Sequence, residues 1–443
     1  MPPKGLKMGV TLRNYMYPKL SVYESKHFKN LSYAVLFSLL IILYSIFVVP
    51  NFSYSGYSLS ISLYSISSAY AMLLISLYIL PPYEMDISTF SIHIIFIFSI
   101  MPLIIYSTIG PGYDIYAYAS VSCFIITCLL SQYQFPLPSF AFIHQEKFLV
   151  TLLSIASITL PLWLLLQNGV PGLTALDLSQ VYSIRGTTRY GGSMFVYLVS
   201  WLAKVFNPFL LGYAVSNYKI LPGVIGIVSQ ITVYLFTAHK LYLFTIVFVF
   251  VVVILLKCTK FVSVLVFSVS LSSIFAYLSY LLTGSIFLPS ITIRRVFFVP
   301  ARVQTHYYEF FSQHKFALFS RTKIGFLIDE VYAQPLPTII GDMYVSGASA
   351  NTGYLADGYA QAGFVGLVLV SVALGVLLSI FNSISITSDA ASLSPVIIPI
   401  FILANSALTT TMLTHGLIIG LIIFLLYAQP PDESGTPVDK DKT

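Results

Sequence analysis

The chain has 443 residues, of which 57% are hydrophobic and only 9% charged, with a mean hydropathy of +0.87 and a formal net charge of +6. Soluble domains need roughly a quarter charged residues to cover their surface, so this composition excludes a soluble enzyme and requires an all-α polytopic integral membrane protein. No evenly basic stripe is present, which speaks against a nucleic-acid partner despite the positive balance.

Residues 1–30 are polar and basic, with no short apolar core and small-residue cleavage site, and read as a cytoplasmic N-terminal segment rather than a removable signal peptide. Apolar runs then fall near 31–49, 58–80, 88–107, 113–131, 148–167, 193–215, 220–237, 240–256, 261–282, 357–381, 395–410 and 412–428. A bilayer core needs ~20 apolar residues per helix, so these runs predict about 12 transmembrane helices in one membrane domain, 1–443. The first run is expected to act as an uncleaved anchor.

Alternation from a cytoplasmic N-terminus places 132–147, 216–219, 257–260, 382–394 and the tail 429–443 inside. It leaves 168–192 and 283–356 outside. Lys147, Lys219, Lys257, Lys260, Lys440 and Lys442 then lie inside, as the positive-inside rule asks, although Lys240, Lys315 and Lys323 do not. Both termini are expected on the cytoplasmic side of the membrane. Two places are irregular. Lys204 lies within an apolar run, so either it snorkels or that helix ends near Asn207 and Pro208. The last two runs are short, separate near Thr411, and admit a re-entrant pair. Cys123, Cys128 and Cys258 have no metal or disulfide spacing and are expected to be packing residues.

The seven arginines are distributed unevenly: only Arg13 lies outside the two extracytoplasmic loops, where Arg185, Arg189, Arg294, Arg295, Arg302 and Arg321 break the topology rule. The first loop reads VYSIRGTTRYGG over 181–192 and the second ITIRRVFFVPARVQTHYYEFF over 291–311. Arginine presents a planar fork of donors that matches phosphate oxygens two at a time, so Arg185, Arg189, Arg294, Arg295 and Arg302 are candidates for a phosphate or diphosphate at headgroup level. Gly186, Gly191 and Gly192 would let the first loop's backbone approach that group. The competing reading has the arginines gripping ordinary lipid headgroups or pairing with Asp177, Glu309, Asp329, Glu330 and Asp342.

The large loop, 283–356, exceeds the usual length of a structureless connection and is expected to be functional. Pro300 suits the first turn of a helix on which Arg302, His306, Glu309 and Gln313 share a polar stripe, with Val303, Tyr307, Phe310 and Phe311 on other faces. That pattern predicts an amphipathic helix lying on the outer membrane surface. His306 is a candidate proton acceptor, and Tyr307 and Tyr308 are candidates to stack on sugar rings, though interfacial aromatics are common on any such helix. No paired acidic motif or histidine spacing suggests a metal, and no cofactor is expected, so arginines would have to balance a departing diphosphate. Asp357 falls at the start of the glycine-spaced run that follows; it suits either a helix-dipole partner or a catalytic base.

The segment NTGYLADGYAQAGFVG over 351–366, preceded by RRVFFVPA and a YYEFF run, is similar to the bacterial O-antigen (oligosaccharide repeat unit) polymerases of the Wzy type. The early RGTTRYGG and the closing ANSALTTT also resemble them, and the similarity covers about residues 150 to 428. The resemblance implies the fold of the membrane glycosyltransferases that use polyprenyl-linked donors. It implies polymerisation of undecaprenyl-diphosphate-linked oligosaccharide repeat units, donor and acceptor alike, at the outer face of the plasma membrane. It leaves room for a chain-length regulator protein among the partners, beside membrane lipids. The alternatives are an O-antigen ligase acting on lipid A core, and a lipid-linked oligosaccharide flippase or other secondary transporter. Transporters favour internal repeats and ionisable groups at mid-membrane, whereas here the charges concentrate in outside loops.

Overall fold

The computed structural model describes residues 26–82, 86–135, 145–172, 188–256, 258, 260–320, 329–345, 349–383 and 390–427. No strand occurs among them. In chain order the helices are α1 (Lys26–Ser55), α2 (Leu63–Ile79), α3 (Ile87–Ile109), α4 (Asp114–Ser131), α5 (Glu146–Asn168), α6 (Ser193–Asn217), α7 (Ile220–Thr237), α8 (Lys240–Leu256) and α9 (Phe261–Thr283). There follow α10 (Val299–Gln313), α11 (Leu336–Tyr344), α12 (Tyr354–Ser383), α13 (Ala390–Ile402), α14 (Leu408–Leu413) and α15 (Leu417–Tyr427).

Every apolar run of the sequence falls on one of these helices, yet only eight are long and apolar enough to cross a membrane: α1, α3, α4, α5, α6, α7, α9 and α12. The helices α2, α8, α13 and α15 are apolar but shorter, with 17, 17, 13 and 11 residues. The final pair of runs breaks differently from the sequence expectation. Thr411 sits inside α14, and the chain turns instead at 403–407 and at Gly416, whose φ of +79° suits glycine.

Four helices widen into a π turn, at Tyr44–Val48, Phe96–Ile100, Leu202–Phe206 and Ser290–Phe298. Each turn ends two residues before a proline: Pro50, Pro102, Pro208 and Pro300. Proline lacks an N–H and its ring collides with the carbonyl four residues back, and a locally wider winding is one way to keep the helix continuous past it. The helix therefore does not end at Asn207 and Pro208, and Lys204 does not snorkel: it is buried in the π turn. The same device makes 290–298 helical, so Arg294 and Arg295 stand on a wound segment leading into α10 and not in a loop.

The helix α3 is completely enclosed, surrounded by α1, α2, α4, α10, α12 and α13. A second core is built by α5, α6 and α7, and α13 touches both groups. Lipid tails are as apolar as leucine, so these contacts rest on close packing more than on burial itself. Gly375 of α12, for example, lies so near Leu130 of α4 that a Cβ there would come within 2.8 Å of it. Outward faces stay apolar, with Phe244, Val247 and Phe250 exposed on α8 and Phe267, Leu271 and Phe275 on α9. Cys123 and Cys128 are buried as expected of packing residues, whereas Cys258 is exposed at a helix joint.

Two features of the long segment after α9 differ from expectation. The helix α10 begins with Pro300 in its first turn, as the sequence suggests, but it is inserted between α3 and α12 and does not lie on a surface. Arg302, Gln304 and Thr305 are all buried on it, Arg302 against Ser55 and Tyr57 and Gln304 against Ser99, while Gln313 at the end of the polar stripe is exposed. The helix α12 is broken at Ala362 and Gly363, with φ of −154° and +61°. Its first arm folds against the start of the second, and a Cβ on Gly366 would collide with the carbonyl oxygen of Gly358. Asp357 lies on the short arm, in the first turn.

Candidate active site

The π turn and α10 carry Arg294 and Arg302 to the same aromatic cradle. The Arg294 guanidinium lies over Phe52 at 4.3 Å from the ring centroid, and its Nε donates to Ser290 at 3.2 Å. Arg302 lies over Tyr57 at 5.1 Å and donates to the backbone carbonyl of Ser55. Tyr57 interacts with both: burial raises its pKa, and the Arg302 and Arg294 charges work against that rise. Arg302 is only 6% exposed and its Nε has no partner. A desolvated cation with a donor to spare is costly unless an anion completes it, since a buried donor without a partner costs ~1–3 kcal/mol and more when charged.

One turn after Arg302 on α10, the His306 ring stacks on Tyr344 of α11 with centroids 4.6 Å apart. Both ring nitrogens are buried without a hydrogen bond, the nearest carboxylate oxygen being Glu309 Oε2 at 3.7 Å. Burial, with the Arg302 charge adding to it, lowers the His306 pKa to about 4. The imidazole is therefore neutral at physiological pH and able to accept a proton, though only as a weak base. Glu309 accepts from the Tyr113 hydroxyl at 3.0 Å, which fixes the carboxylate beside the histidine.

Asp357 faces a different space. A cavity of about 360 Å³ is lined by Asp357 and Gln361 of α12, Tyr307 of α10, Thr352, Ser406 and Thr410, among others. Gln361 donates to Asp357 Oδ1 at 3.3 Å and accepts from the Phe319 backbone N–H at 2.8 Å, which orients the carboxylate. Tyr307 donates its hydroxyl to the Ala350 carbonyl at 2.9 Å. Tyr308, one position on, points elsewhere: it stacks on Tyr116 and lies against Tyr113, Tyr359 and Phe364.

The candidate residues thus divide. Arg294, Arg302 and His306 gather on one side of α10, and Tyr307 and Asp357 on another. Arg295 is exposed beside the first group. Arg189 is exposed at the end of α5, its backbone N–H and carbonyl both held by the Asn168 side chain at 2.7 and 2.8 Å. Among the described residues no hydrogen bond, ion pair or ring contact joins Arg189 to the other arginines. Arg185 lies outside the described residues. No group of three His, Cys, Asp or Glu side chains comes together as a metal-ligand set among the described residues.

Sequence reading missed Tyr57, Tyr113 and Tyr344, which line the arginine side, and Thr352 and Gln361, which line the cavity. Tyr57 had one usable signal, the adjoining Gly56, whose φ of +84° turns the chain back over α1. It also missed that Lys204 Nζ is bonded to Ser200 at 2.8 Å and to His415 Nδ1 at 2.6 Å. No family model, no curated protein and no solved structure matches this chain.

Proposed function

We propose that the chain is a bacterial plasma-membrane glycosyltransferase that polymerises oligosaccharide repeat units carried on undecaprenyl diphosphate, as its resemblance to the Wzy-type polymerases implies. The observation that carries this reading is the paired Arg294 and Arg302, two guanidinium groups whose charges both act on Tyr57, with the buried Arg302 Nε left without a partner. In a glycosyl transfer, an acceptor hydroxyl oxygen attacks the anomeric carbon of the donor, the bond from that carbon to the diphosphate oxygen breaks, and the diphosphate leaves with the electron pair. Arg294 and Arg302 neutralise the charge that grows on the leaving group, which is where such groups lower a barrier most. The hydroxyl proton goes to Asp357 or to His306, and the two are separable by mutation. Arg185, Arg189 and Arg295 would serve an acceptor or donor diphosphate from the surface.

The test is incubation of the purified protein in vesicles with a synthetic polyprenyl diphosphate-linked repeat unit, with chelator and without nucleotide sugar. Products of two or more repeats are expected. A set of repeat units that all return unchanged would contradict the reading. An O-antigen ligase is the nearest variant and would instead consume the donor only when lipid A core is added. A transporter is the second reading, and the observation favouring it is Lys204, buried in the spanning helix α6 and bonded to His415 in the turn before α15, since ionisable groups inside a membrane mark ion or substrate paths.

A further inference from the structure

The cavity beside Asp357 has a chemistry unlike that of the arginine side. Its described lining holds one carboxylate, the two amides of Asn351 and Gln361, and several hydroxyls, those of Tyr307, Thr352, Ser406 and Thr410 among them, with no lysine, arginine or histidine. An anion would meet the Asp357 carboxylate with no described cation to offset it. An apolar ligand would leave the buried Thr352 hydroxyl stranded and give the Asp357 carboxylate no donor. Thr352 is only 5% exposed and its hydroxyl has no protein partner, so the site holds a buried donor and acceptor still to be satisfied. Asp357 accepts from Gln361 through Oδ1, which leaves acceptor capacity on the carboxylate for a ligand. Tyr332 and Pro337 in the lining supply flat apolar surface. A volume of about 360 Å³ sits at the small end of ligand pockets, which suits a single ring better than a chain.

We propose that this cavity binds one neutral pyranose, the terminal sugar of the acceptor glycan, through Asp357, Thr352 and the hydroxyls of α14, at a site separate from the one that holds diphosphate. A ring of vicinal hydroxyls needs acceptors and donors in alternation, which a fixed carboxylate, an amide and several hydroxyls provide. Its C–H faces suit the tyrosine and proline surfaces of the lining. The proposal deepens the glycosyl-transfer reading and rests on it for the role of the sugar, but binding itself requires no turnover.

The experiment places a reporter in the cavity wall. Thr409→Cys is made in the full-length protein with Cys258→Ser as background, since Cys258 is the exposed thiol. The rate of labelling by a small neutral maleimide is then measured with methyl glycosides of glucose, galactose, mannose, rhamnose and N-acetylglucosamine, with the corresponding sugar 1-phosphates, and with pyrophosphate. A methyl glycoside mimics a sugar joined through its anomeric carbon with its other hydroxyls free, as at the acceptor end. At least one of them is expected to slow labelling several-fold, while pyrophosphate leaves the rate unchanged. Adding Asp357→Asn or, separately, Thr352→Val is expected to remove the protection while the unprotected labelling rate and elution profile stay those of the parent. Protection that survives both substitutions overturns the proposal, as does an absence of protection by every glycoside. Protection by sugar 1-phosphates or pyrophosphate alone would mark an anion site and overturn it too. Protection without polymerisation in vesicles would remove the enzymatic reading and leave the sugar site standing.

Discussion

The two sides of α10 differ in what they leave unsatisfied. On one, Arg302 is buried against Tyr57 with a guanidinium donor unused, beside a neutral histidine and Arg294. On the other, Tyr307 and Asp357 border a cavity with a carboxylate and hydroxyls and no described cation. The same helix thus separates a site short of negative charge from a site short of hydrogen-bond partners. A lipid diphosphate-linked glycan offers both complements on one molecule, which is why this difference, more than any single residue, supports the proposed chemistry.

The sharpest way to break the comparison is at the arginines. Arg302→Ala is expected to lower polymerisation on the order of 10²-fold or more, the usual effect of deleting a charge-stabilising donor. It also frees Ser55 and Tyr57, so part of the loss will be structural. Arg294→Lys separates the two effects: charge is kept, the planar fork is lost, and activity is expected to fall at least ~10-fold with folding intact. Full activity in the lysine variant would mean that charge alone matters and that a headgroup contact explains the arginine.

Next comes Asp357→Asn, which keeps size but exchanges an acceptor oxygen for an NH2 donor and cannot take a proton, so weaker sugar binding shows in KM and a lost base in kcat. A catalytic base predicts a loss on the order of 10²-fold in kcat. A dipole partner in the first turn predicts only a stability change within about 1 kcal/mol, read as a small drop in Tm. If kcat at saturating acceptor survives in the asparagine variant, His306 is left as the proton acceptor.

The pH profile then distinguishes His306 from an ordinary surface histidine. Its folded pKa of about 4 lies below the usual 6.5, so the neutral base persists well into acid. A rate that depends on His306 is expected to hold level from about pH 8 to about pH 5 and to fall only as pH nears about 4. The sign for stability agrees: the unfolded chain takes up a proton first as pH drops below 6.5, so the folded state loses stability between there and about pH 4. A break in the rate near 6.5, absent in His306→Gln, would show that the ring is not buried as described.

Much of this was legible in the sequence. Composition and apolar runs located every apolar helix, and Pro300 marked the start of α10. The arginines and Asp357 stood out because charge is scarce in such a chain. What could not be read was grouping. Arg189 and Arg294 look equivalent as loop arginines, but one is tied to Asn168 at the end of α5 and the other to Phe52. Proline's effect on the preceding turn also ran against intuition, since it widened four helices where an end or a loop would be expected. Likewise the break in α12 hid in an apolar run, its only mark being glycine spacing. Gly363→Ala is the smallest test of the set: with φ at +61° and the Phe316 ring 2.7 Å from a new Cβ, it is expected to cost about 1–3 kcal/mol and to lower Tm.

The central claim is that diphosphate and sugar occupy different sides of α10, and a crossed binding measurement tests it most directly. Affinities for polyprenyl diphosphate and for the protecting methyl glycoside are measured on the wild type, Arg294→Lys and Asp357→Asn in the same vesicles. The account predicts that Arg294→Lys weakens the diphosphate and spares the glycoside, and that Asp357→Asn does the reverse. Loss of both ligands in either variant, with folding unchanged, would mean one shared site and would contradict it.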